Sequence, residues 1–263
     1  MVKEFAEHGY WALILGGSSG LGLATARKLA AHGMNLCIVH RNTRIELDEI
    51  AASFEELSAM GVEVVSYNID VTSVEKQGST IADLGRLIGE KGKIRALIHS
   101  IAKGSLKAMA STDQPSLSNA DFVITLQNMA LSLYDWTSAV FNAGLFADDA
   151  RVISFTSEGS RKALKHYAAV SAAKAAMEAI SRSIALEFAP YGIRSNCIQA
   201  GVTDTRSLRM IPDSELILNE SLSRNPFKRI TTIEDVANVV YLLCKDESSW
   251  INGTVIPVDG GGS

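Results

Sequence analysis

The chain has 263 residues, 47% of them hydrophobic and 21% charged, with a formal net charge of −4. This composition excludes a disordered or fibrous chain and fits an α/β domain with a substantial core. The mildly acidic balance gives no electrostatic reason to expect a nucleic-acid partner. No apolar run approaches the ~20 residues of a membrane helix, and the N-terminus lacks a signal-peptide cleavage pattern, so the expected compartment is the cytoplasm.

In chain order, residues 11–15 (WALIL) read as a strand and 21–32 as a helix closed by Gly33. Residues 35–39 (NLCIV) read as a second strand, 46–60 as a helix with Gly61 as its cap, and 62–69 as a third strand. Residues 74–90 are mostly helical, weakened by Gly78 and Gly85. A strand is expected at 94–99, a long helix at 121–143, a strand at 151–155, a helix at 167–188 and a strand at 194–199. A helix at 233–244 and a strand at 254–258 complete the pattern. The strands are apolar nearly throughout, as when helices cover both faces of a parallel sheet. The alternation predicts a Rossmann-type, doubly wound α/β fold with right-handed crossovers, in a single domain over 1–263. Residues 205–229 are the least regular and form a candidate flap over a site. Cys37, Cys197 and Cys244 lie far apart without a CxxC spacing and read as packing thiols. No metal-ligand spacing stands out.

The first strand runs into Gly16-Gly17-Ser18-Ser19-Gly20-Leu21-Gly22, and a helix follows at once. Glycines at 16, 20 and 22 permit a tight turn and close backbone approach, while the helix start offers free N–H groups and a positive dipole end to a pyrophosphate. Ser18, Ser19 and Leu21 belong to the same cofactor loop. A carboxylate at the end of the second strand would hold the ribose 2′-hydroxyl of NAD. This chain has His40-Arg41-Asn42-Thr43-Arg44 there, with no acid until Glu46. The arginines, Arg41 first, favour the 2′-phosphate of NADPH, with NADH the lesser candidate. Asp70-Val71, ending the third strand, would flank the adenine ring.

Together, GGSSGLG, Asp70, a Tyr/Lys helix and the terminal IPVDGG resemble the short-chain dehydrogenase/reductase superfamily, from about residue 10 to 262. The resemblance implies that a tyrosine donates a proton, a lysine holds the nicotinamide ribose and lowers the tyrosine pKa, and a serine assists. It further implies cofactor contacts at Ser100, Ile101 and Ala102, at Lys174, and at Gly201, Thr203 and Thr205. In the common pattern, thirteen positions separate serine from tyrosine and four separate tyrosine from lysine. Here Ser157 to Tyr167 is ten and Tyr167 to Lys174 is seven. Serine and lysine keep their total separation of seventeen; only the tyrosine has moved, three positions earlier, and Val170 stands in its usual place. Three helical residues are about 4.5 Å of rise, and Tyr167 and Lys174 still share a face of the expected helix.

That displacement has a chemical reading. In carbonyl reduction, the carbon that receives hydride is bonded to the oxygen that is protonated. In a conjugated enoyl thioester, hydride goes to the β carbon and charge develops on the carbonyl oxygen two carbons away. A donor one turn further along the helix suits the second case. The Tyr-x6-Lys spacing, His99-Ser100-Ile101-Ala102, Ala200-Gly201 and Thr231-Thr232-Ile233-Glu234-Asp235-Val236 resemble the enoyl-[acyl-carrier-protein] reductases. The common glycine loop, with serine rather than a second tyrosine at 157, is similar to an NADPH-using bacterial subgroup.

The resemblance implies catalysis by Tyr167, Lys174 and Ser157, and a trans-2-enoyl thioester substrate on acyl-carrier protein in fatty-acid synthesis. It also implies a homotetramer with the C-terminal strand near an interface. A carbonyl reductase acting on a 3-oxoacyl thioester, and a non-catalytic NADP-binding protein, are the alternatives. Asn128 lies near a proton-relay asparagine of the superfamily but is not assigned to the site. His99 reads as a satisfied strand-end histidine, and His166 as a neighbour of Tyr167 that points away from it. Met109, Met129, Phe146 and Met210 could line an acyl pocket but read as core.

Overall fold

The computed structural model describes residues 3–262. Seven parallel strands form one sheet in the order β3-β2-β1-β4-β5-β6-β7. They are β1 (Tyr10–Leu15), β2 (Asn35–His40), β3 (Val64–Asn68), β4 (Lys93–His99), β5 (Phe146–Thr156), β6 (Ile193–Ala200) and β7 (Val255–Val258). The helices are α1 (Gly20–Ala31), α2 (Leu47–Ser58), α3 (Val74–Ile88), α4 (Asn119–Leu126), α5 (Ser132–Asn142), α6 (Ala168–Glu187), α7 (Arg206–Arg209), α8 (Ser214–Arg224) and α9 (Ile233–Cys244). This is the doubly wound fold expected from the strand–helix alternation.

Alternation within β1 explains the two layers. Ala12 and Ile14 face a core built with Leu29, Ile50, Phe54 and Val240, whereas Leu13 and Leu15 face one built with Leu84, Leu133, Trp136 and Met177. Fully burying one such leucine contributes about 1.5–3 kcal/mol. Trp136 is buried without loss of its polar bond, because its indole N–H donates to the Val71 carbonyl at 2.9 Å. The strand order reverses between β1 and β4, which opens a crevice at their C-terminal ends. Leu15, His99 and Ser154 stand in register there, so the residues that follow each line one edge.

The opposite end of the sheet is closed by charge. Arg95 donates to the Cys244 carbonyl at 3.0 Å, to Asp149 Oδ2 at 2.7 Å and to Asp246 at 2.6 Å. Arg151 donates to the Leu243 carbonyl at 2.8 Å and reaches both Asp149 oxygens at 2.5 and 3.0 Å. The two guanidiniums thereby cap the last carbonyls of α9, where a helix favours positive charge. Burial pushes the Asp149 carboxyl up, but Arg151, Arg95 and Arg194 together pull it further down, below its ordinary value.

Four expectations need correction. The helix expected at 121–143 contains a π turn at Gln127–Leu131 between α4 and α5. Residues 205–229 are largely helical, in α7 and α8. Neither helix buries a residue, so no apolar period marks them. The strand expected at 151–155 is longer, because β5 begins at Phe146, which packs against the second core as its default reading has it. Finally, α6 begins at Ala168, so Tyr167 is the residue before the helix rather than part of it. Gly78 and Gly85 do not interrupt α3. Among the described residues, no helix is long and apolar enough to cross a membrane.

Candidate active site

The glycine loop forms a cradle without side chains. Gly16 has φ +85, which favours glycine, and a Cβ on it would overlap the Ser100 carbonyl. A Cβ at Gly22 would overlap the Gly16 carbonyl. Backbone from β1, α1 and the loop after β4 thus meets at close range, with Ser100 N–H donating to Leu15 O at 2.8 Å and the Ile101 side chain against Gly16. Ser19 occupies the N-cap of α1 but makes no side-chain bond to the first turn. An uncapped helix start above a side-chain-free cradle fits a diphosphate. Ser18, Gly20 and Leu21 lie on this rim, while Ala102 is exposed beyond it.

At the second-strand end, Arg41 and Asp70 are brought together, Nη1 to Oδ2 at 2.5 Å, with Lys103 at 3.7 Å. The other Asp70 oxygen accepts from Thr72 N–H at 3.0 Å and Thr72 Oγ1 at 2.7 Å. Val71 is buried beside it. Glu46, the nearest acid in sequence, is committed elsewhere. It forms a capping box with Thr43 at 3.0 and 2.9 Å, and it pairs with Arg206 from α7. Arg206, then the Thr43 N–H and hydroxyl, hold its carboxyl down at about 2.

At the other end of the crevice, β5 stops at Thr156 and Ser157 follows. Tyr167 Oη lies 3.5 Å from Ser157 Oγ. Gly159 allows this, because a Cβ there would press on the Tyr167 ring at 2.7 Å. The preceding residue, His166, has φ +59, a left-handed conformation that sets Tyr167 just ahead of α6. Burial raises the Tyr167 pKa, opposed by the Ser157 hydrogen bond.

Lys174 is 7% exposed and donates to the Phe155 carbonyl at 2.6 Å. Desolvation lowers its pKa to about 8. An ammonium has three donors, so a buried one with a single protein acceptor fits paired ribose hydroxyls. Val170, at the place the superfamily tyrosine usually takes, is buried against Met129 and Ala173. It is wall, not machinery.

The remaining candidates divide. Thr203 Oγ1 turns back to the Gly201 carbonyl at 2.9 Å, and Thr205 caps α7 through Leu208 N–H at 3.3 Å. Gly201 is explained by packing, since a Cβ there would overlap Thr231 Oγ1. The TTIEDV motif is the capping box of α9, with Thr232 and Asp235 as its members. Cys37, Cys197 and Cys244 are buried and free.

Met129 is core, whereas Met109 and Met210 are each 68% exposed, so those two are not core as expected. A cleft of about 560 Å³ is lined in part by Leu106, Pro115, His166 and Pro212.

The sequence left Asn128 unplaced. It is buried on the π turn, its carbonyl accepting from Ser132 Oγ at 2.7 Å. His99 Nε2 lies 2.8 Å from the same Ser132 oxygen. With the serine proton engaged, His99 Nε2 is assigned the ring proton, and its buried Nδ1 has no hydrogen-bond partner. Burial, then the Lys174 charge, push its pKa down to about 3. His99 is therefore half satisfied, not fully as expected. Among the described residues, no group of three or more His, Cys, Asp or Glu could hold a metal.

Residues 16–263 match the family described as enoyl-(acyl carrier protein) reductase. The 1-cyclohexenylcarbonyl-CoA reductase of Streptomyces collinus is 26% identical, over 98% of this chain and 89% of its own length. The 3-oxoacyl-[acyl-carrier-protein] reductase FabG of Chlamydia muridarum is 28% identical, over 95% of this chain and 96% of its own. The crystal structure of enoyl-[acyl-carrier-protein] reductase (NADH) from Aquifex aeolicus superposes with a TM-score of 0.80 at 25% identity, covering 97% of this chain and 96% of that one.

Proposed function

This chain belongs to the short-chain dehydrogenase/reductase superfamily and is an NAD(P)H-dependent oxidoreductase, and within that class we propose that it reduces trans-2-enoyl thioesters. The substrate is carried on acyl-carrier protein, the preferred cofactor is NADPH, and the working assembly is a homotetramer. One observation carries the reading: the phenol of Tyr167 stands just ahead of α6, seven positions before Lys174, with Val170 closing the usual tyrosine place. The named substrate of the Streptomyces relative, a cyclohexenylcarbonyl thioester, is of the same conjugated kind.

The residues divide the work. Bound nicotinamide supplies hydride, which the β carbon accepts. Tyr167 Oη donates a hydrogen bond to the thioester carbonyl oxygen, where negative charge develops, and passes its proton to that enolate oxygen, after which the enol tautomerises to the saturated thioester. A donor aimed at developing charge is the strongest electrostatic lever of such a site. Ser157 Oγ steadies the phenol. Lys174 spends its remaining donors on the ribose and keeps positive charge beside the reacting atoms. Arg41 exchanges Asp70 for the 2′-phosphate. The segment 205–229 closes over the acyl chain.

The FabG relative favours a second reading, reduction of a 3-oxoacyl thioester. NADPH oxidation by the purified protein, with a crotonyl thioester in one cuvette and an acetoacetyl thioester in another, separates the two. The proposal expects turnover of the enoyl substrate alone. Turnover of the oxo substrate alone would overturn it.

A further inference from the structure

A second buried charge lies one helical turn beyond Lys174. Glu178 is 5% exposed on the same face of α6. Its Oε1 accepts from Thr156 Oγ1 at 2.6 Å. Its nearest cation in an ion pair is Arg161, at 3.9 Å, whose side chain is 63% exposed. A buried carboxylate with one neutral donor is costly unless positive charge is near. Lys174 presents the complementary problem, a buried ammonium on a single carbonyl. Two successive residues of β5, Phe155 and Thr156, are held by these two side chains. Ser157 comes next in the chain.

We propose that Glu178 is a positioning residue: its carboxylate is the buried counter-charge of the Lys174 ammonium and the anchor of the β5 end that presents Ser157. The inference rests on the reading that Lys174 serves the reaction as a cation, and it goes beyond that reading by naming what keeps it one. Hydrogen bonding alone does not require a charge here, because a glutamine oxygen would accept from Thr156 equally well.

The other titratable groups around Lys174 are neutral. Cys197 on β6 is a buried thiol whose pKa burial raises, lying 3.2 Å from Ser154 Oγ. His99 on β4 is held neutral by its burial. Tyr167, ahead of α6, is a phenol with a raised pKa. That leaves Glu178, one turn further along the same face of α6, as the acidic group whose negative charge acts on the lysine, with Arg161 opposing it from the loop before Tyr167.

The test is made on the protein without cofactor or substrate, so failure of the enoyl reading leaves it intact. Trace acetylation of Lys174 by acetic anhydride is followed by mass spectrometry across pH, which reports the protonation midpoint of Nζ. Glu178→Gln is expected to lower that midpoint by about one pH unit. Thr156→Val, which keeps the charge, leaves it within about 0.3 unit. Arg161→Glu, at an exposed position, raises it by about half a unit. NADPH affinity at pH 8 falls several-fold in Glu178→Gln. An unchanged midpoint in a folded Glu178→Gln protein overturns the proposal. Should that variant fail to fold, Arg161→Glu decides, and a midpoint that stays or falls overturns it.

Discussion

Away from the crevice, Arg95 on β4 and Arg151 in the middle of β5 are each 1% exposed, and acceptors from Asp149, Asp246 and the last carbonyls of α9 surround their guanidiniums. At the C-terminal end of β5, Lys174 is 7% exposed and meets one carbonyl. Both ends bury cations, but only one completes them. The completed end spends its charges on tying strands to a helix. The incomplete end keeps donors in reserve, and there Tyr167, Ser157, His99 and the glycine cradle converge. A buried cation short of hydrogen-bond acceptors is the more informative sign of a site.

The sharpest way to break this contrast is at the completed end. Arg151→Met removes the bidentate partner of the Asp149 carboxylate and one donor to the Leu243 carbonyl, and is expected to destabilise the chain by about 3–5 kcal/mol in urea unfolding, with cofactor affinity per folded molecule unchanged. Next comes Tyr167→Phe, which should lower enoyl turnover about 100-fold or more while the NADPH dissociation constant moves less than about twofold, since the proposal has the phenol act on substrate.

The pH dependence follows from Lys174. Its pKa of about 8 in the folded chain lies below its unfolded value of ~10.4. Between those values the unfolded chain binds more protons, so the lysine's destabilising burial is relieved as pH rises through that window and is present in full below it. Urea unfolding at pH 7 and pH 10 should show the wild type gaining on a Lys174→Met/Glu178→Gln variant. On the proposed contact of Lys174 with the ribose, NADPH affinity should fall over the same rise. The smallest effect is expected at Arg41, an exposed pair with Asp70 worth about 0–1 kcal/mol to the fold. Arg41→Ala should weaken NADPH several-fold and leave NADH unchanged, as read by fluorescence titration.

Much of this was legible in the amino-acid order. The strands stood out because helices cover both sheet faces, leaving continuous apolar runs such as WALIL. The separation of Ser157 and Lys174 pointed to the end of β5 and to α6, because it matches the serine–lysine spacing of the superfamily it resembles. What was hidden depended on tertiary context. Alanines on both sides of Tyr167 continue a helical pattern backwards, and only the left-handed His166 shows where α6 starts. The π turn at Asn128 carries no sequence mark. α7 and α8 bury nothing, so no periodicity announces them. Glu178 reads as an ordinary polar helix residue until Thr156 is seen opposite it.

The most direct test of the contrast compares urea unfolding of two variants at pH 7 alongside their NADPH binding: Lys174→Met/Glu178→Gln at the incomplete end, and Arg151→Met at the completed one. Replacing both buried charges by neutral side chains of similar size should leave stability unchanged or raised, while NADPH binding is lost. If the double variant instead loses several kcal/mol, as Arg151→Met is expected to, the two ends of the sheet use their buried cations alike, and the reading of Lys174 as charge held in reserve for a cofactor is wrong.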